Sequence, residues 1–133
     1  MTYSLNSNCQ DFKNCTFLDN WQSDSLITNS TFVRYSGCWG LVYNGKEYGV
    51  IGSTEGLHVF ELTEDDKFKF IDFVAGRYVS SQAITREYKT YKNYLFASGD
   101  EGSGSLQIID LSHLQLELEP PGHPHGNCRL LRE

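Results

Sequence analysis

The chain has 133 residues, a net charge of −6 and an aromatic content of 14%. That length suffices for one ordinary domain core. The acidic balance, with no Lys/Arg cluster, excludes the electrostatics of a nucleic-acid binder, and no apolar run approaches the roughly 20 residues of a membrane-spanning helix.

From residue 1 to about 30 the sequence is polar, with Phe12, Phe17, Leu18 and Trp21 dispersed through it, and it reads as an extended N-terminal arm. It lacks the apolar centre of a signal peptide. Trp21 either packs on the first repeat or stays exposed in a loose arm. Cys9 and Cys15 enclose a short polar loop and could pair in an oxidising compartment, or remain free thiols. With Cys38 and Cys128 they form no metal-binding spacing.

Frequent Gly and aromatic residues, against three Pro and one Met, favour an all-β chain with many turns. Thr31–Tyr35 alternates and predicts a short strand. Four strands follow, at about Cys38–Tyr43, Glu47–Gly52, Leu57–Leu62 and Phe68–Val74. Asn44-Gly45 marks a two-residue hairpin, since both residues tolerate positive φ. Ser53–Gly56 and the acidic Thr63–Lys67 supply the next two turns. Residues 31–80 thus form a first repeat.

The second repeat spans 81–119, with strands at about Ala83–Tyr91, Tyr94–Ser98, Ser105–Leu111 and Leu114–Glu119. Residues 120–133 form an irregular tail beginning at Pro120-Pro121-Gly122. The two repeats echo each other: Tyr48 answers Tyr94, Gly52 answers Gly99, Glu55 answers Glu101, and Leu57–Thr63 answers Leu106–Ser112 in chemical type. The offset drifts from 46 residues at Tyr48 and Tyr94 to 49 at Leu57 and Leu106. A repeat of about 40–50 residues built from short strands has the period of a β-propeller blade.

The expected architecture is therefore a partial β-propeller of about two four-stranded antiparallel blades behind an extended arm. Propellers take about four to eight blades, so two blades imply either a fragment of a longer protein or a protomer that closes a ring by association. The apolar neighbours Val50-Ile51, Val59-Phe60 and Ile108-Ile109 imply packing on both faces of each sheet. Without neighbouring blades they would leave apolar area exposed.

Tyr35–Ser53, Gly56–Leu62, Arg86–Tyr91 and Leu106–Ser112 together resemble the choice-of-anchor B family of LVIVD-repeat proteins, over about Trp21–Leu114. The resemblance implies a bacterial propeller-like protein, secreted or displayed on the cell surface, with no established catalytic residue set. Thr85-Arg86-Glu87 stands where the family has Trp-Arg-Asp, and the turn after Thr63 lacks the family's proline. Everything after Leu114 departs from the family pattern.

Trp39, Arg77, Tyr78, Arg86 and Glu87 lie near the expected centre-proximal strand ends. Aromatic rings against sugar faces, with Arg and carboxylate hydrogen bonds to hydroxyls, would make a glycan site. Equally, Trp39 could be a core anchor and Arg86 could pair with a carboxylate between blades. Asp100 and Glu101 supply too few oxygens for a calcium loop, and His123, His125 and Cys128 lack a fourth zinc ligand. His58 reads as an exposed or rim residue, and no nucleophile elbow or phosphate loop is present.

No cofactor or catalytic centre is expected. The sequence predicts a non-catalytic surface or secreted module for binding, adhesion or scaffolding, with a protein or glycan partner. The alternatives are a lectin-like protomer that oligomerises to close the ring and binds glycans, and a fragment of a propeller hydrolase.

Overall fold

A computed structural model describes residues 14–28, 30–102 and 106–114, and the backbone of 129–131. Asn44 and Gly45 sit at φ of 49° and 77°, the left-handed pair whose twist matches that of flanking antiparallel strands. They join β1 (Tyr35–Tyr43) to β2 (Lys46–Ser53). At the next turn the buried Ser53 hydroxyl accepts from the Glu55 and Gly56 amides, both at 3.2 Å, and β3 (Gly56–Leu62) follows. The acidic turn closes through Thr63 N–H on the Lys67 carbonyl at 2.9 Å, and β4 (Phe68–Ala75) completes the sheet in the order β1-β2-β3-β4.

The second sheet repeats this antiparallel meander with β5 (Arg86–Tyr91), β6 (Tyr94–Gly99), β7 (Gln107–Asp110) and β8 (Arg129–Leu131). Lys92, at φ 53°, opens the two-residue turn between β5 and β6. The repeat extends to single bonds. Thr54 N–H donates to the Arg34 carbonyl at 3.0 Å, and Asp100 N–H donates to the Thr85 carbonyl at 3.3 Å.

Strand register decides which residues share a face, because neighbouring side chains along a strand point to opposite sides. In the first sheet Trp39, Val50 and Val59 stand opposite one another, and Leu41 pairs with Tyr48 on the same side. In the second, Tyr88, Ala97 and Gln107 share a face with Leu95 and Ile109. These two faces meet in one core. The repeat matches Val59 to Ile108 and Phe60 to Ile109, so the side of the first sheet that enters the contact is opposite in kind to the side of the second. The two sheets are stacked front to back.

Their first strands lie side by side. Arg86 N–H donates to the Ser36 hydroxyl at 2.7 Å, and three residues further along β1 the Trp39 indole donates to the Thr90 hydroxyl at 3.2 Å. Both partners advance together, so β1 and β5 run parallel. The close approach leaves no room at Gly52, where an added Cβ would collide with the Ser36 carbonyl and the Tyr88 hydroxyl.

Several sequence expectations are corrected. No strand forms over Thr31–Arg34, because Phe32 takes φ 60° and is 76% exposed. The second repeat starts its strand at Arg86, since the Ala83 and Ile84 amides are taken by the Ser80 and Gln82 carbonyls in tight turns. Leu114 ends a 3-10 turn, Leu111–His113, whose Ser112 amide donates to the Asp110 carboxylate. Residues 115–119 lie outside the described residues. The fourth strand is supplied instead from within the expected irregular tail, by Arg129–Leu131 on β7. Of the apolar neighbours, Val50, Val59, Phe60 and Ile109 are buried, while Ile51 and Ile108 are half-buried.

Val59 has no solvent exposure and stands across the strand pair from buried Asp72. Val59→Asp would place an unpaired second carboxylate there, at a cost of about 3–5 kcal/mol. The expected result is loss of the cooperative thermal transition by circular dichroism, while Val79→Asp at a half-exposed position melts within a few degrees of the parent.

Candidate functional site

The five residues singled out in the sequence do not form one site. Arg77, Tyr78 and Arg86 come together with Thr85, Gly99 and Glu101 around a cavity of about 10 Å³, room for a single water and not for a sugar. Arg86 is committed there. Its Nε donates to the Ser53 carbonyl at 2.8 Å and a terminal nitrogen donates to the Tyr78 carbonyl at 3.0 Å. The planar guanidinium thus ties the end of β2 to the crossover between the sheets, and its partners are carbonyls where the sequence suggested a carboxylate.

Trp39 lies further along β1, with the Lys89 ammonium 4.2 Å from its ring centroid. It is partly buried against the shared core and also lines the apolar groove described below. Glu87 is exposed on β5 and does not line the cavity. Glu101 contributes in a way the sequence did not reveal. Its carboxylate accepts from the Thr85 amide at 3.2 Å, and Glu55 accepts from the Ile27 amide at 3.0 Å in the first repeat. The matched pair of glutamates anchors the chain segment entering each sheet.

Sequence reasoning missed the surroundings of His58. It is buried, against the expected rim position, and its Nε2 lies 2.9 Å from the Ser53 hydroxyl. The Trp21 and Phe73 rings lie at centroid distances of 4.6 and 4.8 Å from the imidazole. Burial lowers the His58 pKa from its ordinary value of 6.5, only partly offset by the Glu55 carboxylate. A serine beside a neutral histidine resembles a nucleophile and base. However, the Ser53 hydroxyl has no solvent exposure and already binds the turn amides, so no substrate atom can reach it in this state.

A broad concave surface lies on the other face of the first sheet. A largely apolar groove of about 270 Å³ runs between Trp21, Cys38, Ile51, Phe60 and Phe68. It continues past Val42 and Leu62 as a shallower hollow of about 460 Å³. Its floor is bare backbone at Gly40, which stands opposite Gly49, and the Phe68 ring lies over Gly49. The arm closes one end, for Trp21 stacks on Phe60 at 5.0 Å and the Asp19 carboxylate accepts the Phe68 amide at 3.0 Å. Trp21 therefore packs on the first sheet, one of the two placements open from sequence.

Cys15 and Cys38 are free and exposed, while Cys9 and Cys128 lie outside the described residues, as do His123 and His125. Among the described residues, no three His, Cys, Asp or Glu side chains gather to hold a metal ion, and no helix is long and apolar enough to cross a membrane. Compared with protein-family models, with curated proteins and with solved structures, the chain has no match.

Two outcomes follow from this geometry. Arg86→Lys replaces a fork that reaches two carbonyls by a single ammonium, and a loss of about 1–2 kcal/mol in denaturant stability is expected. Because His58 has a depressed pKa in the fold, the unfolded chain binds its proton more readily. The stability that the neutral imidazole confers is complete above 6.5 and is lost as pH falls below it. Denaturant midpoints should therefore drop between about pH 7.5 and about pH 5.5, and His58→Gln should flatten that segment of the profile.

Proposed function

We propose that this chain is a non-catalytic binding or scaffold module of the β-propeller kind, its two sheets being consecutive blades. What carries the reading is the front-to-back stacking: the Val59 face of one sheet seals the Ile109 face of the next, with β1 and β5 parallel and adjacent. Parallel first strands and repeated front-to-back contact are what a radial array of four-stranded meanders requires.

Binding is favoured over catalysis by where the polar groups are spent. Arg86, Glu55, Glu101 and Ser53 hold backbone groups, whereas the open concave surface is lined by apolar side chains and bare backbone. The resemblance to LVIVD-repeat proteins adds a location outside the cell, on its surface or secreted, as part of this proposal. An apolar groove beside a sheet favours a protein partner over a glycan, since a sugar needs converging hydroxyl partners.

The folded protein, assayed on chromogenic ester, phosphoester, glycoside and peptide substrates with and without Ca²⁺ or Zn²⁺, is expected to give no turnover above a heat-unfolded control. Turnover that disappears in Ser53→Ala or His58→Ala would replace the binding role by a hydrolase.

A further inference from the structure

Among the described residues, the sheet that sits behind another in this chain, and the sheet that sits in front, each leave one face without a sheet against it. We infer that these two open faces dock on one another between copies, the second sheet of one chain seating in the groove on the first sheet of a second copy. The inference rests on the blade reading above and names the partner of that same groove. The internal contact serves as its template.

In that contact the second sheet offers Tyr88, Leu95, Ala97 and Ile109, all buried under the first sheet. Their counterparts in the first sheet, by strand pairing and repeat, are Cys38, Gly49, Ile51 and Phe60. Phe60 lies under Trp21, but Cys38 is exposed and Gly49 and Ile51 are only half-buried. The arm therefore covers the outer part of this face and leaves the inner part open.

The converse holds on the other side. Leu57, sealed inside the internal contact, corresponds to Leu106, which is 55% exposed. Buried Leu41 corresponds to Tyr91, 65% exposed, while Val50 and Val59 correspond to half-buried Phe96 and Ile108.

The side-chain volumes on both open faces differ from those of the internal contact. Along β1 the open groove has Cys38 and Gly40 where the internal contact has Tyr88 and Thr90, so it is deeper there, while Ile51 and Phe60 are larger than Ala97 and Ile109 and the Phe68 ring lies over Gly49. Where the internal contact inserts Val50, Val59 and Leu41, the open face of the second sheet carries the larger Phe96, Ile108 and Tyr91. Deeper holes paired with bulkier knobs preserve packing density. The faces are distinct, so the contact is head-to-tail, closing into a ring or extending.

Sedimentation velocity on the full chain from low to high micromolar concentration tests this. A mass rising to a multiple of the chain mass is expected. Gly40→Arg, whose added Cβ meets no atom within 4 Å, fills the groove, and Leu106→Asp charges the opposite face. Each alone should weaken association at least about tenfold. An equimolar mixture should recover a 1:1 dimer, because each variant keeps the face the other lacks. Val42→Arg, at another exposed groove position, serves if Gly40→Arg fails to fold.

A single-chain mass at all concentrations, with the Val59 and Ile109 amides protected from hydrogen exchange, overturns the docking and leaves the blade reading intact. Unprotected amides at both positions overturn the two together. Association indifferent to both variants, or a mixture that does not recover, overturns the placement of the interface.

Discussion

Everything in this molecule depends on the contact in which Val59 and Leu57 of one sheet close over Leu95 and Ile109 of the next. Neither sheet has a core of its own. A four-stranded meander can hide one face only by leaning on something, and here the something is the opposite face of its own copy. Burying these side chains contributes about 1.5–3 kcal/mol each relative to exposure, which decides the placement of every polar group around them. Because the contact joins unlike faces, two sheets cannot satisfy each other completely. The arm answers this in part. Trp21 lies over His58 and Phe60 much as the end of β4 lies over Gln107, whose amide donates to the Ala75 carbonyl at 3.0 Å.

The polar residues serve that contact. Wherever two sheets approach closely at their first strands, strand ends leave carbonyl and amide groups that water cannot reach easily, and each needs a partner. The Arg86 fork takes two such carbonyls, Glu55 and Glu101 each take one amide, and the Ser36 hydroxyl takes the Arg86 amide. Arg, Glu and Tyr gathered at a strand end have the composition of a ligand site. Here the composition arises because backbone groups at a crossover need charged or hydroxylic partners as much as a ligand does.

This explains which parts of the molecule could be read in advance. Asn44-Gly45 announces its hairpin because few other pairs accept positive φ at both places, and the successive apolar residues Val59-Phe60 announce a strand packed on both faces. These are local effects, legible in a window of a few residues. The partner of Arg86 was not legible, since a backbone carbonyl carries no residue letter. Nor was the burial of His58, which depends on Trp21 arriving from 37 positions earlier in the chain. The strand Arg129–Leu131 escaped for the same reason: three residues pair with β7 across a long sequence separation, with no periodicity long enough to detect. Of the residues chosen for a site, Arg77, Tyr78 and Arg86 do meet, but the space they enclose was not something the sequence could convey.

The two repeats differ most where they face outward. A sheet face intended for water is ordinarily marked by charge, as Lys69 and Glu47 mark the rim of the first sheet. The second sheet keeps Leu106, Tyr91, Phe96 and Ile108 on its outer side beside exposed Glu87 and Lys89, and the first keeps Val42, Phe68 and Phe70 exposed. Simple duplication would have left similar volumes at matching positions. The exchange of Leu95 for Gly49 on one face and Val50 for Phe96 on the other changes shape without adding charge. Water does not distinguish those shapes strongly, whereas a packed neighbour does, because dispersion and cavity terms respond to single methylene groups. These are the faces that would meet in the docking proposed above.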